Sequence, residues 1–118
     1  GEIPEKLDFL AEYGAFDAAL YGNKKMKTDE TVARQVLPAA EEVLRALPVF
    51  ANAEIYAALV ALAQERGWKN GQVLWCVRIA LTAKESTPGG ASEMAELLGR
   101  EECLARLAAA RQRLREGA

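Results

Sequence analysis

The residue most suited to chemistry in this sequence is an arginine within an apolar segment. Residues 73–81 read VLWCVRIAL, and Arg78 is the one charged residue among them. Burying an unpaired guanidinium is very costly, so the Arg78 head group must reach solvent, a carboxylate or a ligand. Two interpretations therefore stay open: a side chain that extends to water or pairs with a glutamate, and a guanidinium presented to a phosphate or base edge.

The segment that follows combines several ligand-binding features in a few residues. Residues 85–90 read ESTPGG, with hydroxyls, a rigid proline and two glycines. Glycine-rich loops can approach a ligand or phosphate closely, but this one lacks the Walker spacing and its Gly-Lys-Ser/Thr. A plain turn between helices is the alternative.

Aromatic and basic residues elsewhere supply weaker candidates. Trp68 and Trp75 are either stacking platforms for bases or core residues, and the packing interpretation is the stronger for Trp75. Between Arg66 and Lys84 there is no acidic residue. Two further groups of cations occur at Lys24, Lys25 and Lys27 and at Arg106, Arg111, Arg113 and Arg115. On a chain of net charge −2, such groups are either solvated helix faces or a local phosphate-binding surface.

Composition argues against several kinds of function. The chain has no histidine, and its two cysteines, Cys76 and Cys103, lie far apart and outside any CxxC pattern. We therefore expect no metal site, no disulfide framework and no catalytic residue, in a reducing cytoplasmic compartment. No apolar run approaches the length of a membrane span. Because the chain begins with Gly1, we expect a fragment of a longer protein.

Periodic apolar positions predict a compact all-α bundle of about six helices in a single domain, residues 1–118. Short helices are expected at 5–13 and 17–21, before a loop at 22–25. Thr28 is the expected N-cap of a helix that runs to about residue 47, kinked or divided at Pro38. Asn52 is the next expected cap, with Ile55, Tyr56, Leu59, Leu62 and Ala63 on the apolar face and Gly67 at the end.

The segment 73–81 suits either a strand or a helix, and its all-helical surroundings favour a helix. Two more helices are expected, from Ala91 to Leu98 and from Arg100 to Glu116, with Gly99 between them.

Three blocks of this sequence resemble one known family. YGNKKMKTDE (21–30), KNGQVLWCVRIALTAKESTPGG (69–90) and AELLGREECLARL (95–107) resemble the C-terminal anticodon-binding region of bacterial glutamyl-tRNA synthetases. The resemblance covers nearly the whole chain. It implies the all-α domain called the α-helix cage, with residues 1–20 at the junction with a preceding helical domain.

The resemblance also implies which residues contact RNA. Arg78, Thr87 and Pro88 match the positions that approach the anticodon bases, and physical chemistry agrees, because loop bases are splayed out and read by donors and flat surfaces. Weaker RNA-binding candidates are Gly89, Gly90, Lys84, Lys69 and Trp68.

Two departures from the family pattern bear on this site. The family commonly has proline where this chain has Cys76. Proline near a helix start fixes φ, so cysteine in its place is expected to shift that start and with it the direction in which Arg78 points. Many members also have a large apolar residue after the Pro-Gly pair, where this chain has Gly90, Ala91 and Ser92. Packing against the second anticodon base is therefore expected to be weaker.

The resemblance implies a monomeric tRNA-binding module, with the anticodon stem-loop of tRNA(Glu) as its partner. Attachment of glutamate, with ATP and magnesium, would belong to an N-terminal catalytic domain of the same synthetase, so no cofactor is expected in this chain and no enzyme activity on its own. A free-standing accessory protein derived from the synthetase is a variant of this interpretation. The alternative is a helical protein–protein interaction module that ignores RNA.

Overall fold

The computed structural model describes residues 21–22, 28–82 and 89–116. Within these ranges the chain forms five α-helices and no β-strand, which confirms the all-α class and comes close to the predicted six. The helices are α1 (Glu30–Arg45), α2 (Asn52–Arg66), α3 (Asn70–Thr82), α4 (Ala91–Leu98) and α5 (Arg100–Glu116). The short helix predicted at 5–13, and 17–20 of the second, lie outside the described residues.

Helix α1 begins with a cap that differs from the predicted one. The Asp29 carboxylate accepts a hydrogen bond from the backbone N–H of Val32 at 3.0 Å. Thr28 is instead buried, with its Oγ1 3.1 Å from the Cys76 Sγ. The prediction of Thr28 as N-cap is therefore wrong, because its hydroxyl is used in the core. Pro38 is exposed inside α1 but does not divide it, and the helix ends at Arg45.

Helix α2 has no side-chain cap. Ala51 is the N-cap residue and Asn52 is the first helical residue, so the prediction of an Asn52 cap is wrong. The backbone N–H of Asn52 is instead satisfied by the carboxylate of Glu96 in α4, at 2.8 Å. The predicted stop at Gly67 is confirmed: its φ of 74° is in the left-handed region that glycine adopts without strain.

The ambiguous segment 73–81 is helical and lies within α3. At its start, the Gln72 side chain accepts a hydrogen bond from the Lys69 backbone N–H at 2.9 Å, which is half of a capping box. Cys76 is the seventh residue of α3, so it does not set where the helix begins. The expectation that cysteine in place of proline shifts that start is therefore wrong.

The bounds predicted for α4 and α5 are confirmed. Gly99 separates them with a φ of 86°, and its N–H donates to the Ala95 carbonyl at 3.0 Å. Met94, Leu107 and Leu114 are buried, while Leu97, Leu98 and Leu104 are partly buried against the core.

Helix α3 is the centre of the bundle, because it packs against each of the other four helices. Helices α1 and α5 pack together on one side, where the Glu41 carboxylate forms ion pairs with Arg45 at 2.8 Å and Arg111 at 3.1 Å. Arg106 of α5 donates to the Leu81 carbonyl at 2.8 Å and so caps the end of α3. None of the helices in these ranges has the length and apolar character that crossing a membrane requires.

Candidate functional site

A cavity of about 480 Å³ opens between α2, α3 and the start of α4. Helix α2 contributes Asn52, Ala53 and Tyr56; α3 contributes Gly71, Leu74, Trp75 and Arg78; the start of α4 contributes Gly90, Ala91, Ser92 and Glu93. Its size is in the range of sites for small ligands or single nucleotides. Apolar walls with a few polar groups suit a flat heterocycle whose edge carries donors and acceptors.

Arg78 is the cation of this cavity. Its guanidinium carbon lies 4.8 Å from the centre of the Trp75 ring, within cation–π range, and the side chain is half-buried. Partial burial lowers the pKa of Arg78 because it removes water from the charged form. The ordinary pKa is so high that the group remains a cation. The cavity therefore presents a fixed, partly desolvated donor.

Tyr56 forms part of the cavity wall on α2, where its ring is 49% exposed. The prediction that Tyr56 belongs to the buried face of its helix is therefore wrong. It follows Ile55 by one residue, and one residue turns an α-helix by about 100° away from the Ile55–Leu59 face. An aromatic ring exposed beside a cavity is suited to stacking on a base.

The start of α4 supplies backbone and side-chain polar groups. Gly90 is the N-cap residue of α4 and, as a glycine, gives no side-chain hydrogen bond. Ser92 is only 7% exposed and lines the cavity. Glu93 is exposed at the same place, and its side chain folds against Gly89.

The structure brings some of the predicted site residues together. Arg78 and Gly90 line the same cavity, and Gly89 lies next to it against Glu93. Thr87, Pro88 and Lys84 lie outside the described residues, as do Lys24, Lys25 and Lys27. The residues on either side of this segment are described. Thr82 is the last residue of the helix that carries Arg78, and Gly89 lies beside the cavity wall at Glu93.

Trp68 and Lys69 are not among the residues that line the cavity. Trp68 is partly buried against the core, and the Arg66 guanidinium lies 5.8 Å from its ring. Lys69 is exposed at the start of α3. Both remain predictions as RNA contacts, and both precede the first residue of α3, on the N-terminal side of Arg78.

The basic cluster at the C-terminal end is partly used inside the protein. Arg106 bonds to Leu81 and approaches Glu102 at 3.6 Å, and Arg111 pairs with Glu41. These internal contacts favour a structural role for both arginines over phosphate binding. In the described part of the chain, no three metal-ligating side chains come together.

Sequence reasoning missed most of the residues that line the cavity. Asn52, Tyr56 and Glu93 were not site candidates, and Trp75 was assigned mainly to packing. Tyr56 carried a usable signal, since it is one position out of register with the buried face of α2. Glu93 carried none, because only the tertiary fold places the start of α4 opposite α2.

Comparison with known proteins identifies the family. The family described as "Anticodon binding domain" matches residues 1–111. Glutamate–tRNA ligases from Lachnoclostridium phytofermentans and Clostridium tetani are 44% and 42% identical over 90% of this chain, and that of Clostridium novyi is 38% identical over 98%.

A solved structure supports the same assignment. The crystal structure of a glutamate tRNA ligase from Elizabethkingia meningosepticum in complex with its amino acid superposes with a TM-score of 0.70. The match has 25% identity and covers 85% of this chain and 19% of that one. The chain spans 22–24% of the length of the three ligases compared by sequence. On this evidence, the chain belongs to the anticodon-binding domain family.

Proposed function

We propose that this chain binds the anticodon loop of tRNA(Glu), and that the cavity between α2, α3 and α4 receives an unpaired anticodon base. The observation that carries the proposal is the position of Arg78, a cation held against Trp75 in the wall of an open cavity. Single-stranded RNA is read by such combinations of aromatic surface and directed donors.

The roles of the remaining predicted residues belong to the same proposal. Thr87 and Pro88, with Gly89, Gly90 and Lys84, would complete the wall near Arg78, because their segment joins the end of α3 to the start of α4. Lys69 and Trp68 would contact the RNA beyond the N-terminal end of α3. Phosphate contacts of this kind make association weaker as salt increases.

The wider role follows from the family. The chain would act as the distal domain, residues 1–118, of a monomeric cytoplasmic synthetase, with residues 1–20 at the junction to its preceding helical domain. Its catalytic domain would attach glutamate to tRNA with ATP and magnesium. The match of residues 1–111 to an anticodon-binding domain family favours RNA over the alternative of a protein-docking surface.

Titration of the tRNA(Glu) anticodon stem-loop tests this proposal. Arg78→Ala is expected to weaken binding by about 1–3 kcal/mol, because it removes charge-assisted donors to the base. Arg66→Ala is the matched control: Arg66 is an exposed cation outside the cavity, and its loss should remove at most one phosphate contact. Urea unfolding verifies that both variants are folded.

The proposal fails if the parent chain binds this loop no better than an unrelated stem-loop. It also fails for Arg78 if the alanine variant binds like the parent. Gel filtration with and without the loop distinguishes RNA binding from self-association, the expectation of the alternative function.

A further inference from the structure

Glu93 is the acidic side chain in the cavity wall, and its position is tied to a glycine. A Cβ atom added to Gly89 would lie 2.8 Å from the Glu93 Oε2, and 3.1 Å from both its Cβ and its Cδ. Gly89 does not have a positive φ, so its backbone conformation does not demand glycine. A methyl group at position 89 would instead require the Glu93 side chain to move.

A carboxylate has a restricted role in a nucleic-acid site. It only accepts hydrogen bonds, and it repels phosphates, so it cannot serve the RNA backbone. It can accept from an N–H group of a base, as carboxylates do from amino groups in base recognition. Arg78 in the same cavity only donates. The two side chains together match a base edge that presents an N–H next to a carbonyl or ring nitrogen.

We infer that Glu93, held in place by packing on Gly89, is a specificity-determining residue that accepts a hydrogen bond from one anticodon base. This inference rests on the proposed function of the cavity and adds the group that complements Arg78. Arg78 supplies attraction that many bases and phosphates satisfy, whereas Glu93 restricts the cavity to an edge with a correctly placed donor. Gly89 is the positioning residue for that carboxylate.

The experiment measures discrimination and not affinity alone. Dissociation constants are determined for the parent 118-residue chain and its variants with the tRNA(Glu) anticodon stem-loop. Three loops, each with one anticodon base replaced, are measured in parallel. Discrimination at a position is the dissociation constant for the loop replaced at that position divided by the dissociation constant for the unmodified loop.

Glu93→Gln is expected to reduce discrimination about tenfold at one anticodon position and to leave the other two unchanged. The amide is the same shape but carries no charge and can present its own donors. Binding to the replaced loops should stay equal or tighten, because a repulsive charge has been removed. This pattern would not follow from a merely structural role, which would weaken all four loops together.

Gly89→Ala should lose discrimination at the same position as Glu93→Gln, because the new methyl group displaces the carboxylate. Glu101→Gln is the matched control: it makes the same change at an exposed residue of α5 that does not line the cavity, so it should retain the parental ratios. Thermal unfolding verifies that the variants are folded.

The inference is overturned if Glu93→Gln keeps the parental ratio at all three positions while Arg78→Ala loses affinity; the proposed function then stands. It is also overturned if Glu101→Gln changes the discrimination as much as Glu93→Gln does. A parent chain that binds no anticodon loop above the level of unrelated RNA removes the proposed function, and this inference with it.

Discussion

At Arg78, burial and ring contact prepare a charged group for binding. The guanidinium has already lost part of its hydration in the unbound protein, as the lowered pKa indicates. Its contact with Trp75 also restricts the side chain. On the proposed function, less desolvation and less side-chain ordering would then oppose the binding of a base.

Substitution of Tyr56 tests whether a single exposed ring stacks on the RNA. Tyr56→Ala should weaken binding of the anticodon stem-loop by about 1–3 kcal/mol, the usual contribution of one base–aromatic stack. The free energy of unfolding should change little, because about half of the side chain is exposed. Fluorescence titration and urea unfolding measure the two effects separately.

Val49→Ala is the control for Tyr56. Val49 is the other large exposed apolar residue in the described part of the chain, at 54%, and it does not line the cavity. Its substitution should leave RNA binding unchanged. Equal effects of the two variants on binding would show that Tyr56 does not stack on the RNA.

At the scale of elements, Pro38 is expected to lower the stability of helix α1, in which it lies. It lies in the interior of α1, where proline provides no N–H for the Arg34 carbonyl and crowds it. Pro38 is exposed, so replacing it loses little packing. Pro38→Ala should therefore raise the free energy of unfolding by about 1–3 kcal/mol.

Urea unfolding measures this change, and Gln35→Ala is the control. Gln35 is an exposed residue of the same helix with a normal backbone N–H, so its substitution should shift stability by only a few tenths of a kcal/mol. A Pro38→Ala variant that is less stable than the parent would contradict the prediction. Such a result would mean that the proline ring contributes more to packing than its exposure indicates.

How far the elements could be predicted depended on whether the signal was local. Gly67 and Gly99 end helices by their own backbone conformation, so those ends were predictable. The N-caps of α1 and α2 were wrongly predicted at Thr28 and Asn52, because distant partners engage those residues: the Thr28 hydroxyl contacts the Cys76 thiol, and Glu96 accepts from the Asn52 N–H. Sequence periodicity contains no information about such pairs.

The same distinction applies to the site. The position of Arg78 at an open surface was predictable, because a lone guanidinium in an apolar helix must reach solvent, a carboxylate or a ligand. Tyr56 and Glu93 were not predicted, because they acquire significance only when α2 and α4 are brought beside α3. Sequence could name the central residue of the cavity but not its opposite walls.

At the scale of the whole molecule, the two buried thiols couple folding to pH. Burial raises the pKa of Cys76 to about 11 and that of Cys103 to about 12. An unfolded thiol loses its proton near pH 8.5. Unfolding therefore releases protons above that pH, and the free energy of unfolding should fall by roughly 1–2 kcal/mol per thiol between pH 8 and pH 10.

Urea unfolding at several pH values tests this dependence, with the Cys76→Ala, Cys103→Ala double variant as control. The variant is expected to be less stable at pH 7 because it loses buried volume, but its stability should fall less steeply between pH 8 and pH 10. Parallel pH profiles for parent and variant would show that the thiols are not protected from ionisation in the folded state.

The cavity walls come from α2, α3 and the start of α4, whereas α1 and α5 line none of it. The outer pair holds the bundle together through Glu41 and Arg111, and Arg106 secures the last turn of α3 from behind. Scaffold and cavity are thus separable. On the proposed function, anticodon preference could be rewritten, by evolution or by a designer, through exchanges on the three cavity-lining helices while α1 and α5 keep their sequence.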